Sequence, residues 1–294
     1  MRLSELLQTK TTLLLDGAMG TMLEKKGAKS VSGVNNVTCP EIVEEIHQEY
    51  IAAGSQLIIA NTFSLNRIYS NTHQLDVDLA IAIQNGVQAA KNAAKRATHP
   101  VFVLGDIGPT GEMLQPLGKG TSKEFYAAFL EQAKEMAAAG VDGFIVETMF
   151  DLAEAVLAVK ACREAANLPV LASMTFATAK RGGRTMMGNF AADCALQLQA
   201  AGAAAVGMNC GDVAIADLAD IAAVMRETVD LPILVEANAG RPELQDDKTI
   251  YHMAPETYAE AMKQCLLKGA SILGGCCGTT PEHIAMLGNV LKEV

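Results

Sequence analysis

Val101-Phe102-Val103-Leu104-Gly105-Asp106, then Lys123 through Ala139, then Gly143-Phe144-Ile145-Val146-Glu147: this stretch decides the fold. An apolar run gives way to an amphipathic segment of several helical turns, Gly140 marks its end, and a second apolar run follows. Runs without in-out alternation suit strands of a parallel sheet that is buried on both faces. The helical segment is the crossover that such strands require.

The same beat extends both ways. Toward the N-terminus lie Leu13 to Asp16 and Leu57 to Asn61; toward the C-terminus lie Val170 to Thr175, Ala204 to Asn209, Ile233 to Asn238 and Ser271 to Gly275. Glu41 to Ala53, Leu152 to Ala166, Ala191 to Ala201, Ala214 to Val229 and Pro255 to Lys268 read as helices, with Gly54, Pro169, Gly202, Pro232 and Gly269 at junctions. Eight βα units predict a (β/α)8 TIM barrel over residues 1–294 as one domain, rather than an open doubly wound sheet. Polar residues gather where the runs stop: Asp16, Asn61, Asp106, Glu147, Thr175, Cys210, Asn238 and Cys276. In a barrel these ends converge on the face where βα loops build active sites. Capping of the following helices is the alternative role, left open for Asn61, Asp106 and Thr175.

Composition narrows the classes of function. A formal net charge of −10 opposes a phosphate backbone, so nucleic acid is not an expected partner. No apolar run approaches bilayer length, and the first residues, Met1-Arg2-Leu3-Ser4-Glu5, lack the pattern of a secretory signal. The expectation is a cytosolic protein with no membrane partner. Its seven cysteines then stay reduced and are free to pack, bind metal or react.

Three of them stand apart. Gly274-Gly275-Cys276-Cys277-Gly278-Thr279-Thr280-Pro281 ends the eighth run, and Gly207-Met208-Asn209-Cys210-Gly211 ends the sixth. Adjacent side chains on a regular strand point to opposite faces, so Cys276 and Cys277 share a metal only if the backbone leaves strand geometry, which flanking glycines permit. Thr280 and Pro281 read as N-cap and first residue of the next helix. The sixth and eighth strand ends should lie roughly 10 Å apart, a gap that thiolates about 2.3 Å from zinc can close. Asn238, ending the strand between them, would sit beside the metal and in reach of its fourth position when substrate is absent. Three protein ligands and an open position define a catalytic zinc site, and coordination there deprotonates an incoming thiol. Cys39, Cys162, Cys194 and Cys265 read as buried small hydrophobes. His47, His73, His99, His252 and His283 show no ligand spacing and read as surface or capping residues, and Arg181-Gly182-Gly183-Arg184 as a solvated loop.

At this point the sequence resembles the zinc-dependent homocysteine S-methyltransferases, a family that includes the homocysteine-binding N-terminal module of cobalamin-dependent methionine synthase. The likeness runs through Leu15-Asp16-Gly17-Ala18-Met19-Gly20-Thr21, Ala60-Asn61-Thr62-Phe63, Gly105 to Gly111, Glu147 to Asp151, Asn209-Cys210, Asn238-Ala239-Gly240 and Gly274 to Pro281. It implies a TIM barrel holding Zn2+ on Cys210, Cys276 and Cys277. It also implies that Asp16 and Glu147 face the ammonium of homocysteine while the amides near Gly20 and Thr21 receive its carboxylate, as a glycine turn opening onto a helix allows.

Only the thiol-binding barrel has a counterpart here, so the methyl donor is expected to bind directly or to arrive on another protein. Without tryptophan there is little to cage betaine's quaternary nitrogen. The segment around Asn61-Thr62-Phe63 is closer to the methionine-synthase branch, which points to methylcobalamin on a separate corrinoid protein, with S-methylmethionine as the alternative donor. A non-catalytic thiol- or zinc-binding subunit of a corrinoid complex is the reading from another class.

Overall fold

Parallel strands β1 (Leu13–Leu14), β2 (Leu57–Ile59), β3 (Phe102–Ile107), β4 (Gly143–Met149), β5 (Val170–Met174), β6 (Ala205–Asn209), β7 (Ile233–Ala237) and β8 (Ile272–Gly275) form one sheet in spatial order 1-8-7-6-5-4-3-2. A parallel bridge from Leu15 to Leu57 joins the two ends, which closes the sheet into a (β/α)8 barrel. The computed structural model describes residues 1–9, 11–28, 32–245 and 248–292. All eight strands fall on the runs read from the sequence.

Each strand is followed by a helix: α1 (Pro40–Ala52), α2 (Leu79–Lys95), α3 (Ser122–Ala139), α4 (Leu152–Ala165), α5 (Ala191–Ala201), α6 (Ile215–Thr228), α7 (Pro255–Leu267) and α8 (Pro281–Leu291). Local chemistry sets their ends. Thr121 and Glu124 form a capping box at α3, Asp151 accepts the amide of Ala153 at α4, and Thr280 with Pro281 opens α8. Gly54, Gly140, Gly202 and Gly269 lie just beyond helix ends with φ of +107°, +87°, +103° and +101°. No helix among the described residues is long and apolar enough to cross a membrane.

Alternation along the strands sorts the core into two layers. Ile58, Val103, Val146, Ala172, Val206 and Val235 face the helices. Leu104, Ile145, Leu171, Ala205, Leu234 and Ile272 fill the barrel, and Leu3, Leu6 and Leu7 of the N-terminal segment plug its lower mouth. Continuing the period of two toward the strand ends points Asp106, Glu147, Ser173, Asn209, Glu236 and Cys276 inward, directly above that apolar floor. The site is thus placed by parity.

Backbones approach closely beneath it. A Cβ added to Gly207 would lie 1.9 Å from the Leu234 carbonyl oxygen of β7. Gly207→Ala is expected to split β6 from β7, at a cost of about 4 kcal/mol or more; a thermal midpoint close to that of the wild type would refute this.

His47 is neither a surface nor a capping residue: it is wholly buried on α1, neither ring nitrogen has a hydrogen-bond partner, and burial pushes it down to about 4. It shares the inward stripe with Val43, Ile46, Tyr50 and Ile51. Capping of helices by Asn61, Asp106 and Thr175 is also set aside, since Asn61 bonds Asn36, Thr175 bonds the Asn209 carbonyl, and Asp106 points into the barrel.

Candidate functional site

Cys210 follows β6 with φ of +57°, a left-handed conformation uncommon outside glycine, and Gly211 continues it at +75°. Cys276 keeps the β8 ladder by donating its amide to Ala237. The chain then turns: Thr279 returns both its amide and its hydroxyl to the Cys276 carbonyl, at 3.1 and 2.8 Å. That departure from strand geometry brings Cys276 and Cys277 to one side, with sulfurs 4.0 Å apart. All three sulfurs lie within 4.8 Å of one another. Ligands about 2.3 Å from a tetrahedral zinc sit about 3.8 Å apart, so the donor set fits a metal ion in both spacing and softness.

The sulfurs govern one another's protonation. Hydrogen bonds from Cys210 and Cys276 hold the Cys277 thiol down to about 3, while Cys276 is pushed well up by its bonds to the other two. Tyr251, on the loop after β7, adds a further hydrogen bond to Cys277 and rests its ring against Gly278. Nothing in the local sequence marks Tyr251 as a loop tyrosine that folds back over the sulfur trio.

The loop after β8 is fastened to the loop after β1. Thr279 Oγ1 accepts the amide of Ala18 at 3.0 Å, and Thr21 Oγ1 accepts that of Gly278 at 3.2 Å. Tyr50, buried on α1, donates to the carbonyl of Ala18 at 2.9 Å and lies 3.2 Å from that of Thr279. This places the short helix Gly20–Lys25, whose first amides belong to Gly20 and Thr21, beside the cysteine loop.

Next to the sulfurs is a group of four carboxyls. Asp16 accepts the amide of Ile59 at 2.9 Å and is almost wholly buried; Glu147 is half-buried and opens to the cleft. Burial raises both, Glu147 to about 7. Asp106 and Glu236 lie behind them, raised well up by burial and then by the charge of Glu147. Glu236 is a lone acid in the apolar run Ile233-Leu234-Val235-Glu236-Ala237, a local signal that its carboxyl has a role beyond packing.

Asn209 ties the two halves together. Its amide donates to Glu147 at 2.5 Å and to Thr148 Oγ1 at 2.8 Å, and its oxygen accepts from the Thr148 amide at 2.8 Å and from Ser173 at 2.6 Å. The same nitrogen lies 3.9 Å from the Cys276 sulfur. Thr148 has φ of +59°, a strained value for a β-branched residue, at a register shift in β4 immediately after Glu147. Asn238 donates to the Gly211 carbonyl at 2.9 Å, leaving its buried Oδ1 without a partner. Arg184 belongs to a small hairpin after β5 and stacks 5.0 Å over Phe190, so only part of the Arg181 to Arg184 segment is a solvated loop.

Fold and site define a (β/α)8-barrel enzyme with its polar centre at the carboxyl ends of the strands. The chain belongs to the homocysteine S-methyltransferase family, whose model matches residues 13–291. It is 30% identical over 96% of its length to methionine synthase of Mycobacterium leprae, and 30% identical over 95% to that of Mycobacterium tuberculosis. It spans 24% of either relative's length. Among solved structures it is similar to the homocysteine methyltransferase MmuM from Escherichia coli in its metallated form, with a TM-score of 0.80, 24% identity, and coverage of 97% of this chain and 98% of that one. The apo form of the same protein gives a TM-score of 0.76. At that identity the likeness establishes the fold.

Proposed function

We propose that this barrel methylates the thiol of homocysteine to form methionine, with Zn2+ held by Cys210, Cys276 and Cys277. The single observation that carries the reading is the sulfur trio, within 4.8 Å and joined through Asn209 to Glu147. Zinc bound there would supply deprotonation of the acceptor thiol at neutral pH. The chain's own groups do the rest. Glu147, open to the cleft, and Asp16 behind it attract the substrate ammonium. The first amides of helix Gly20–Lys25, from Gly20 and Thr21, receive the carboxylate. Asn238, with its unpaired Oδ1 and its place between the sixth and eighth strand ends, lines the position the acceptor sulfur takes. These contacts fix the acceptor in line with the methyl carbon, which is most of what a displacement at an activated carbon asks of a protein.

The donor in this reading is methylcobalamin carried by a separate corrinoid protein, supported by the methionine-synthase relatives. The donor is tested by incubating zinc-loaded protein and homocysteine with methylcobalamin or with S-methylmethionine. Methionine from the first pair is expected, and product from the second alone would overturn the choice of donor. Removing the metal with a chelator is expected to abolish turnover while leaving the circular dichroism of the barrel unchanged, and zinc is expected to restore it. Full activity in material shown by elemental analysis to be metal-free would end the zinc reading.

A further inference from the structure

Once an acceptor is bound, four sulfurs share the site, and an activated methyl group reacts with whichever is most nucleophilic. Methylation of a cysteine would turn an anionic ligand into a neutral thioether and end the site. The three protein sulfurs must therefore react more slowly than the guest. A hydrogen bond donated to a thiolate has that effect, because nucleophilicity falls as basicity falls.

Each of the three has a donor nearby. Cys210 takes the amide of Gly211, and Asn209 Nδ2 lies 3.9 Å from the Cys276 sulfur. The donor to Cys277 is the Tyr251 hydroxyl, which alone comes from outside the cysteine motifs. A ring of bonds fixes its place. Met253, two positions on, donates its amide to the Ala239 carbonyl at 3.2 Å, and its own carbonyl lies 2.9 Å from His283 Nε2. The Thr280 amide can only donate, so His283 Nδ1 accepts it at 3.2 Å and Nε2 carries the proton given to Met253. His283 is 6% exposed and meets the Tyr258 ring edge-on. Ala239 donates its amide to the Cys277 carbonyl at 3.0 Å, so Tyr251 and Cys277 ride on one bonded unit. The tyrosine ring lies so close to Gly278 that a Cβ there would be 2.2 Å from its Cγ. Phenylalanine would serve that packing equally well, so the hydroxyl calls for a role of its own.

We propose that Tyr251 helps decide which sulfur is methylated, its hydroxyl damping Cys277 so that the methyl group passes to the acceptor thiol rather than to the protein. The inference rests on the methyl-transfer reading and names a residue that sets its selectivity. In the unguarded reaction a lone pair of Cys277 forms the new S–C bond, and the leaving group departs with the electron pair of the bond that breaks, leaving S-methylcysteine. Asn238, which lines the acceptor's position in that reading, presents a partnerless Oδ1 that can only accept, so it does not damp the guest sulfur. A hydrogen bond to an anionic sulfur lowers its basicity by about one to two decades, and nucleophilicity follows with a slope of about 0.4–0.5, so the damping is about three- to tenfold.

The test exposes zinc-loaded wild type, Tyr251→Phe and Tyr251→Ala to limiting methyl iodide without acceptor, and follows S-methylation of each cysteine by peptide mass spectrometry. In Tyr251→Phe, Cys277 is expected to react about three- to tenfold faster, while Cys210 and Cys276 on the same molecules stay within about twofold of the wild type. Tyr251→Ala should show at least that rise at Cys277. An unchanged Cys277 rate in Tyr251→Phe would overturn the proposal, even if Tyr251→Ala reacted faster, since the ring would then be only a steric cover. Equal acceleration of all three sulfurs, with zinc found lost by elemental analysis, would also overturn it. Wild type that holds no zinc would remove the reading beneath the proposal, and the proposal with it.

Discussion

Cys277→Ser is expected to leave a folded barrel that retains no stoichiometric metal and transfers no measurable methyl group. The serine hydroxyl is nearly isosteric, and the turn that places it is held by backbone bonds from Thr279 to Cys276 and from Ala239 to Cys277, none of which needs the sulfur. What is lost is one of three soft donors. Altering a group that merely supports a ligand typically costs about 10- to 100-fold in metal affinity or activity, so loss of a ligand itself should exceed that range. Cys162→Ser supplies the contrast. Cys162 is wholly buried in α4, and burial raises its thiol pKa far above the ordinary value. Placing a hydroxyl there is expected to lower the thermal midpoint while metal content stays at one per chain. If elemental analysis found full metal in Cys277→Ser, the sulfur trio would lose its assigned role.

Asn209→Ala is expected to produce the second large effect, and a different kind of loss. Truncation strands the Thr148 amide and the Ser173 hydroxyl and removes the donor to Glu147. Each stranded group costs about 1–3 kcal/mol when buried, so a total near 3 kcal/mol is expected after relaxation. With Thr148 already at φ of +59°, β4 has an easier conformation to relax into, and Glu147 should swing from its place. The functional consequence is a KM for homocysteine raised by about tenfold or more, the scale of a lost charged contact. Asn209→Asp keeps the oxygen that Thr148 and Ser173 use but replaces the N–H groups given to Glu147 and Thr148 Oγ1 by a carboxyl set against that of Glu147. A lowered thermal midpoint with poor homocysteine affinity is the expected pattern, and normal affinity in both variants would show that Asn209 does not position Glu147.

These residues also mark how far the sequence could be read. The barrel was legible because continuous apolar runs, glycine stops and the Thr280-Pro281 cap are local signals that tertiary packing did not override. The sulfur trio was legible because glycine-flanked cysteines ended alternate strands. Asn209 stands beside Cys210 in the same motif, yet its role depends on a positive φ at Thr148, sixty-one positions earlier in the chain, which no local pattern encodes. At His47 polarity and position conflict: imidazole suggests an exposed role, whereas its helical spacing from Val43 and Tyr50 marks an inward face, and position decides. Glu236 is the opposite case: its apolar neighbours mark only a strand, and its inward aim follows from counting two residues on from Leu234.

The bond between Thr279 and Ala18 spans 261 positions of sequence. During synthesis, therefore, the first βα loop leaves the ribosome long before its fastening exists, and the two-residue strand β1 waits with one edge unpaired. Until the eighth unit arrives, the nascent protein is an open, curved sheet with sticky borders, the form most prone to pairing with a neighbour. Closure of the barrel and gathering of the cysteines both wait for that unit, which carries Cys276 and Cys277, so the three-sulfur site cannot assemble on a half-made chain.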